Sequence, residues 1–287
     1  MLGTDQLRIA VPSKGRLRDR AVEILRGAGL RFRLSGRRLF SVCSDTDTRI
    51  IFSNVQDIPV LVAEGVVDLG ITGSDQILEK RVDVIEHQKL GFGKCRVSVA
   101  AHKDSAIRKP EDLSGKVVGS SFANLAADYF RDKGIEDVHI ISIEGAVEVM
   151  VLLGLVDAIV EIVETGNSLL ENDLVELWPV QTAEAVLIGN ATPRDTAGRD
   201  RFLRRVEGVL AARRYSLLEY NCPADKLEEA TQITPGFSSP TVQPLVDTNW
   251  LAVRVLVERS EIHSILDGLE EVGCVAILES EVRQTRL

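Results

Sequence analysis

Between Leu7 and Gly93, short apolar runs alternate with stretches whose apolar positions recur about every three to four residues. "LRIAV" predicts a strand, "AVEILRGAG" a helix stopped by glycine and "IPVLVAEG" a second helix. "DLGITG", residues 68–73, predicts a strand running into the helix "SDQILEK", with Ser74 as the expected N-cap. Such alternation is the pattern of an α/β fold. "CRVSVAA" is a strand long enough to leave one lobe and enter another. A second α/β unit follows: the loop and strand "EDLSGKVVGSS", the helix "FANLAADYFRDKG", the strand "VHIISI", the helix "AVEVMVLLG" and the strand "DAIVEIV". In the first of these helices Phe122, Leu125, Tyr129 and Phe130 share a face, and Gly134 is the stop. "LVELWPV" and "EAVLIGN" are strands, one of them returning to the first lobe, and "RFLRRVEGVLAARR" is a connecting helix.

The last segment changes character. It reads strand "YSLLEYNCP", helix "ADKLEEATQI", strands "SPTVQPLV" and "WLAVRVLV", helix "EIHSILDGLEEVG" and strand "AILESEV". That order, βαββαβ, is the ferredoxin-like arrangement. The expected organisation is therefore one lobe from 1–97 and 181–212, a second lobe from 98–180 and a small domain from 213–287.

Composition narrows the partners. The chain of 287 residues carries a net charge of −9, which argues against nucleic acid or an anionic membrane as the main partner. Any anionic ligand must find local cations. The start, "MLGTDQLRIAVPSKG", enters a strand directly without a basic and apolar leader, which argues against export. The most apolar stretch, "AVEVMVLLGLVDAIVEIV", is interrupted by Glu148, Gly154, Asp157 and Glu161 and suits a buried helix and strand better than a membrane span. Cys43, Cys95, Cys222 and Cys274 are scattered, as are His87, His102, His139 and His263, so neither zinc, a disulfide framework nor a histidine-based nucleophile is expected.

Two turns carry candidate chemistry. "EIVETGNSL", residues 161–169, ends an apolar strand in a carboxylate, two hydroxyls and a glycine. Its backbone N–H groups, the Thr165 and Ser168 hydroxyls and the dipole of the next helix would suit a phosphate; an ordinary turn capped by Ser168 fits the same residues. "VPSKGRL", residues 11–17, offers Lys14 and Arg16 at another strand end, as a polyphosphate site or as a solvated charged turn. Glu148 and Glu161 lie in apolar surroundings where a carboxylate needs a partner, and Glu161 is the stronger candidate for ribose or magnesium. Asp75, Phe122 and Asn124 fit the cleft between the lobes or, respectively, a helix-dipole, core or turn role.

"RIAVPSKGRL", "GVVDLGITGSD", "LGFGKCR", "GAVEV", "DAIVEIVETGNSL" and "EAVLI", taken in that order, resemble the long-form ATP phosphoribosyltransferases, which open histidine biosynthesis. The resemblance implies a bilobal catalytic part of periplasmic-binding-protein type and a ferredoxin-like regulatory domain, with no separate regulatory protein needed. It implies that ATP and phosphoribosyl pyrophosphate combine, with Mg2+, to give phosphoribosyl-ATP and pyrophosphate, and that histidine inhibits. By the same resemblance Glu164, Thr165, Gly166, Asn167, Ser168 and Leu169 hold the 5-phosphate, Glu148 and Glu161 face the ribose or its magnesium, and Lys14 and Arg16 meet phosphates. Asp75, Phe122 and Asn124 match positions near ATP, and Asn221, Thr241 and Ala276 match the histidine pocket. A cytoplasmic homo-oligomer, dimer to hexamer, is also implied.

The chain departs from the family at several points. Glu161 and Ser168 stand where aspartate and threonine are usual, Phe122 and Ala123 where a tyrosine-proline pair is usual, and Asn221 where aspartate is frequent. A neutral side chain at 221 would hold the amino group of histidine less strongly. Two rival readings on the same lobes are a solute-binding or effector-sensing module and a porphyrin-pathway deaminase. The first lacks a leader and a DNA-binding segment; the second would require a cofactor-bearing cysteine in a loop unlike those around the four cysteines here.

Overall fold

The computed structural model describes residues 6–34, 39–44, 46–193 and 195–286. The first five residues, on which the reading of the start rests in part, and Arg194 of "ATPRDTAGRD" lie outside them. The chain forms two compact units, Met1–Glu23 with Leu30–Arg199 and Ile24–Gly29 with Asp200–Leu287.

In the first unit the chain runs β1 (Leu7–Pro12), α1 (Arg18–Gly27), β2 (Phe40–Val42), β3 (Thr48–Ser53), α2 (Ile58–Ala63), β4 (Leu69–Gly73), α3 (Ser74–Lys80) and β5 (Ile85–Lys89), the end of α1 belonging to the second unit. It continues through β6 (Cys95–His102), β7 (Val117–Ser120), α4 (Ala123–Asp132), β8 (His139–Ser142), α5 (Val147–Leu152), β9 (Ala158–Val163), α6 (Asn167–Glu171), β10 (Leu174–Ala183) and β11 (Ala185–Gly189). The strands form a six-stranded sheet, β2-β3-β1-β4-β11-β5, and a five-stranded sheet, β10-β6-β9-β7-β8. β1 lies parallel to β3 and β4 in the first, and β7 lies parallel to β8 and β9 in the second. Each sheet thus has a lobe of its own.

The central strands are buried on both faces: β4 and β11 are enclosed at every residue. Ile9, Val11, Leu69, Ile71 and Leu187 are fully buried in the first sheet, as are Val97, Val99, Val118 and Val160 in the second. The chain crosses between the lobes twice. β6 leads into the second sheet, and β10 returns with only Glu184 before β11. Cys95 and Ala183 are paired opposite each other at this crossing, which makes the junction a two-stranded antiparallel ribbon.

Three expectations need correction. Ser74 is the first residue of α3, whose N-cap is Gly73, and the Ser74 hydroxyl accepts from the Glu184 N–H at 3.3 Å. The apolar run through α5 is not a buried helix: Val147 is enclosed, but Val149, Leu152, Leu153 and Leu155 are exposed, so half of its apolar pattern faces outward. α6 has five residues, and a helix of that length offers little macrodipole to a ligand.

In the second unit, α7 (Thr196–Arg214), which enters it at Asp200, precedes β12 (Tyr215–Pro223), α8 (Leu227–Ile233), β13 (Thr241–Pro244), β14 (Trp250–Glu258), α9 (Ile262–Val272) and β15 (Val275–Glu281). The sheet order β13-β14-β12-β15 is that of a ferredoxin-like domain. Its core joins Leu218, Tyr220 and Val255 to Ile262, Ile265 and Leu269 of α9, and Gly273 ends that helix with φ +95°. A bulge interrupts the β12–β15 pairing between Glu219 and Asn221. The extra residue bends β15 there, and Ala276 is held at φ +51°, a left-handed conformation costly for a residue with a Cβ.

Gly70 lets α2 settle on β4. A Cβ there would lie 2.5 Å from the Ile58 and 2.9 Å from the Val62 methyl carbons. Gly70→Ala is expected to destabilise the protein by about 1–3 kcal/mol through overpacking, measured by urea unfolding. An unchanged midpoint would contradict this packing.

Candidate functional site

β1 and β9 are parallel strands of different sheets, and the turns after their carboxyl ends meet. The turn after β1 brings Arg16, and the turn after β9 brings Glu164, into an ion pair at 3.1 Å that joins the lobes. The same guanidinium donates to the Gly93 carbonyl at 2.6 Å and to the Cys95 sulfur at 3.1 Å. Arg16 therefore joins a strand-end turn, the linker between lobes and the opposite turn. Lys14 is exposed on its own turn, beside Gly15 at φ +82°.

Asp75 is 1% exposed. Gln76 donates to its Oδ2 at 2.9 Å, while Oδ1 has no hydrogen-bond partner. Burial pushes the Asp75 carboxyl above its usual pKa, and the Gln76 hydrogen bond and the Arg16 charge offset part of that rise. Burial likewise raises the Cys95 thiol, against the Arg16 charge and with a contribution from Asp75. A buried carboxylate with one vacant acceptor beside a cation is an unusual group in a core, and its location by a cleft makes it a candidate for function.

In the second lobe, Ser121 donates to Glu161 Oε2 at 2.6 Å and the Ile162 N–H donates to Oε1 at 2.8 Å. Burial raises the Glu161 pKa, these hydrogen bonds oppose the rise, and the nearby Glu148 charge adds to it. Ser168 donates to Glu148 at 2.8 Å, so the turn 164–168 and both carboxylates form one polar cluster. Gly166 is at φ +82°, directly before α6, and Glu164, Thr165, Asn167 and Ser168 are exposed. An αL glycine followed by helical residues turns successive N–H groups to one side, as an anion site requires. Leu169 is 5% exposed and packs in the core below, so only its backbone is available to a ligand.

Phe122 and Asn124 have other attachments. Phe122 is 3% exposed and packs within the second lobe's core. The Asn124 side chain donates to the Glu79 carbonyl at 2.9 Å. Ser121, Gly93, Cys95 and Glu79 had no local signal in the sequence, because each acts through a partner 40 or more residues away. A cavity of about 670 Å³ opens at the strand crossing beside Ser74, Lys94 and Thr182, but it includes neither turn. The chemistry of the turns, not that volume, locates the candidate site.

Glu148 and Glu161 are two carboxylates, and no group of three or more metal-ligating side chains occurs among the described residues. Such a donor set fits magnesium that arrives on a substrate's phosphates, since Mg2+ commonly takes one or two protein carboxylates and substrate oxygens. In the second unit, Asn221, Thr241 and Ala276 line one cavity of about 300 Å³ with Glu219, Gln243 and Arg254. The strained Ala276 thus lies at a pocket.

These lobes, with paired crossing strands and an appended ferredoxin-like domain, define a bilobal α/β protein of the periplasmic-binding-protein type. The family profile HisG: ATP phosphoribosyltransferase matches residues 54–208, and HisG, C-terminal domain, matches 212–284. An ATP phosphoribosyltransferase of Rhodopirellula baltica is 42% identical over 281 residues, covering 98% of this chain and 94% of that protein. One from Mycobacterium sp. (strain KMS) is 41% identical over 285 residues, covering 98% and 99%. Among solved structures, the ATP phosphoribosyl transferase (HisG:HisZ) complex from Thermotoga maritima aligns with TM-score 0.63 and 27% identity over 72% of this chain and 99% of that one. The chain belongs to the ATP phosphoribosyltransferase family, enzymes of the glycosyltransferase class that act in histidine biosynthesis.

The raised pKa of Glu161 has a consequence for stability. Below the ordinary carboxyl value of 4.5 the group is protonated whether the chain is folded or not, and as pH climbs through its higher folded value, ionisation favours the unfolded chain. Glu161→Gln should therefore melt at a higher temperature than the wild type above neutrality, and the advantage should shrink as pH approaches 4.5. A melting difference that does not change with pH would contradict the burial of this charge.

Proposed function

We propose that the chain transfers the phosphoribosyl group of phosphoribosyl pyrophosphate to N1 of the adenine of ATP, releasing pyrophosphate, and that histidine inhibits it. The observation that carries this reading is the Arg16–Glu164 pair, which brings the two candidate phosphate turns face to face in a chain of this family. In this reading residues 1–97 with 181–212 and residues 98–180 are the catalytic lobes, and residues 213–287 regulate them.

Residues 164–169 hold the 5-phosphate through backbone N–H groups and the Thr165 and Ser168 hydroxyls. Arg16 exchanges Glu164 for a phosphate oxygen, and Lys14 adds a second cation on the pyrophosphate side. Glu161, held by Ser121, and Glu148, held by Ser168, face the ribose, where negative charge stabilises the positive character that develops as the bond at C1 breaks. Those carboxylates, with oxygens of the substrate, would hold a magnesium ion, which would supply charge neutralisation for the pyrophosphate. Asp75 receives the nucleotide with its unpaired oxygen, and Asn124 and Phe122, at the start of α4, lie near it. No protein nucleophile is needed: holding N1 of adenine in line with C1 is the main contribution of the protein.

In the second unit, the pocket of Asn221, Thr241 and Ala276 is the histidine site, of a volume suited to one amino acid. Inhibition then requires two states of different histidine affinity. Assembly from dimer to hexamer belongs to the same reading and is supported by the exposed Leu152, Leu153 and Leu155. No helix among the described residues is long and apolar enough to cross a membrane, and a cytoplasmic location belongs to the proposal.

The purified protein mixed with ATP, phosphoribosyl pyrophosphate and Mg2+, with pyrophosphatase present, should form phosphoribosyl-ATP, and histidine should lower the rate. Absence of product would remove the transferase reading in favour of a binding module. Thr165→Ala combined with Gly166→Ala should raise the KM for phosphoribosyl pyrophosphate about tenfold to a hundredfold and that for ATP far less, as expected for lost hydrogen bonds to a charged group. Equal losses would move the phosphate site elsewhere. Asn221→Asp should tighten histidine inhibition by about tenfold, by pairing a charge with the amino group; unchanged inhibition would exclude Asn221 from the pocket's recognition.

A further inference from the structure

α3 and α4 belong to different lobes and meet where each departs from the usual helix rules. α4 has no capping side chain of its own: its N-cap is Phe122, with no side-chain hydrogen bond to the first turn. α3 carries Glu79 in its last turn, where a negative charge opposes the helix dipole. Immediately after it, Arg81 occupies a left-handed conformation, φ +51°, usually left to glycine or asparagine.

Each departure is compensated from the other lobe. Glu79 is 8% exposed, and its two carboxylate oxygens accept from the Asn124 N–H at 3.2 Å and the Leu125 N–H at 3.0 Å. Those are the N–H groups that an N-cap side chain normally satisfies. The Asn124 side-chain amide returns a hydrogen bond to the Glu79 carbonyl at 2.9 Å. Arg81 donates to both Asp128 oxygens, at 2.6 and 3.3 Å. Local rules broken together at one contact, and repaired only across it, point to a role for the contact itself.

We propose that this contact is an interlobe clasp and that Glu79 is its positioning residue. The paired strands β6 and β10 allow the lobes to rotate about the crossing, and the clasp selects one spacing by letting the first lobe cap a helix of the second. All its groups are polar and can be rehydrated on separation, so the clasp selects a position without locking it. Glu79 touches no reacting atom; it acts through the placement of α4 and the second lobe. The inference rests on the bilobal fold and not on the reaction proposed above.

The test reads the spacing directly. Nitroxides on Gln56→Cys and Glu136→Cys, exposed positions in the two lobes, report the interlobe distance by pulsed electron resonance in protein diluted with unlabelled chains. The four native cysteines are buried. The unsubstituted clasp should give one narrow distribution, and Glu79→Ala should broaden it and shift it to longer distances by several ångströms. Arg81→Asp and Asp128→Arg should each broaden it, and the two together should restore it, because Asp at 81 tolerates the left-handed backbone and then faces cations at 128 and 131. If Glu79→Ala does not fold, the exchange at the exposed Arg81 and the half-buried Asp128 decides alone. A distribution indifferent to these substitutions, or a double exchange no narrower than either single one, would overturn the clasp. The distances carry no reference to substrates, so they judge the clasp even if the enzyme reading fails.

Discussion

One guanidinium holds together the parts that the proposed chemistry needs. Arg16 extends from the turn after β1 and meets the linker at Gly93 and Cys95 and the opposite turn at Glu164. It lies close enough to Asp75 to lower the cost of that buried carboxylate. A single delocalised cation with a planar set of donors on separate nitrogens serves a carbonyl, a sulfur and a carboxylate together, whereas a lysine would have to reach all three from one nitrogen. The ion pair itself is partly exposed and contributes little to stability. Its importance is geometric: it fixes which turn faces which.

The rest of the first unit can be understood as support for that juxtaposition. Apolar strands buried on both faces provide rigid ends, and the ribbon at Cys95 and Ala183 joins the lobes by two strands. Polar groups near the cleft are held by neighbours in the same lobe: Glu161 by Ser121 and Glu148 by Ser168. Glu79 departs from that pattern by holding the other lobe, as Arg16 does through Glu164.

Much of the fold was legible because parallel sheets write themselves as unbroken apolar runs, such as "LRIAV" and "DAIVEIV", and because βαββαβ alternates clearly in the last domain. The edge strands β2 and β5, and β3 between β2 and β1, escaped notice: "IEHQK" is polar, half solvated and without a period-two face. The α5 region was misread because its apolar residues match a buried helix in composition while Leu152, Leu153 and Leu155 face outward. In the candidate site, glycine, hydroxyl and cation in a turn are local signals, so Arg16 and residues 164–168 could be singled out in advance. Ser121, Glu79 and the cap of α4 could not, since their significance arises from hydrogen bonds to distant segments. Phe122 was ambiguous for a related reason: an aromatic at a helix start looks the same whether it faces a ligand or, as here, the core.

The central claim is that the turns around Arg16 and Glu164 form one site for a phosphorylated ribose. It is tested most directly by calorimetric titration of phosphoribosyl pyrophosphate with Mg2+ into the wild type and into Arg16→Met. Saturable binding to the wild type, weakened about tenfold or more by loss of the guanidinium, is the predicted result. Equal binding by both proteins would contradict the claim and separate the Arg16 junction from the substrate.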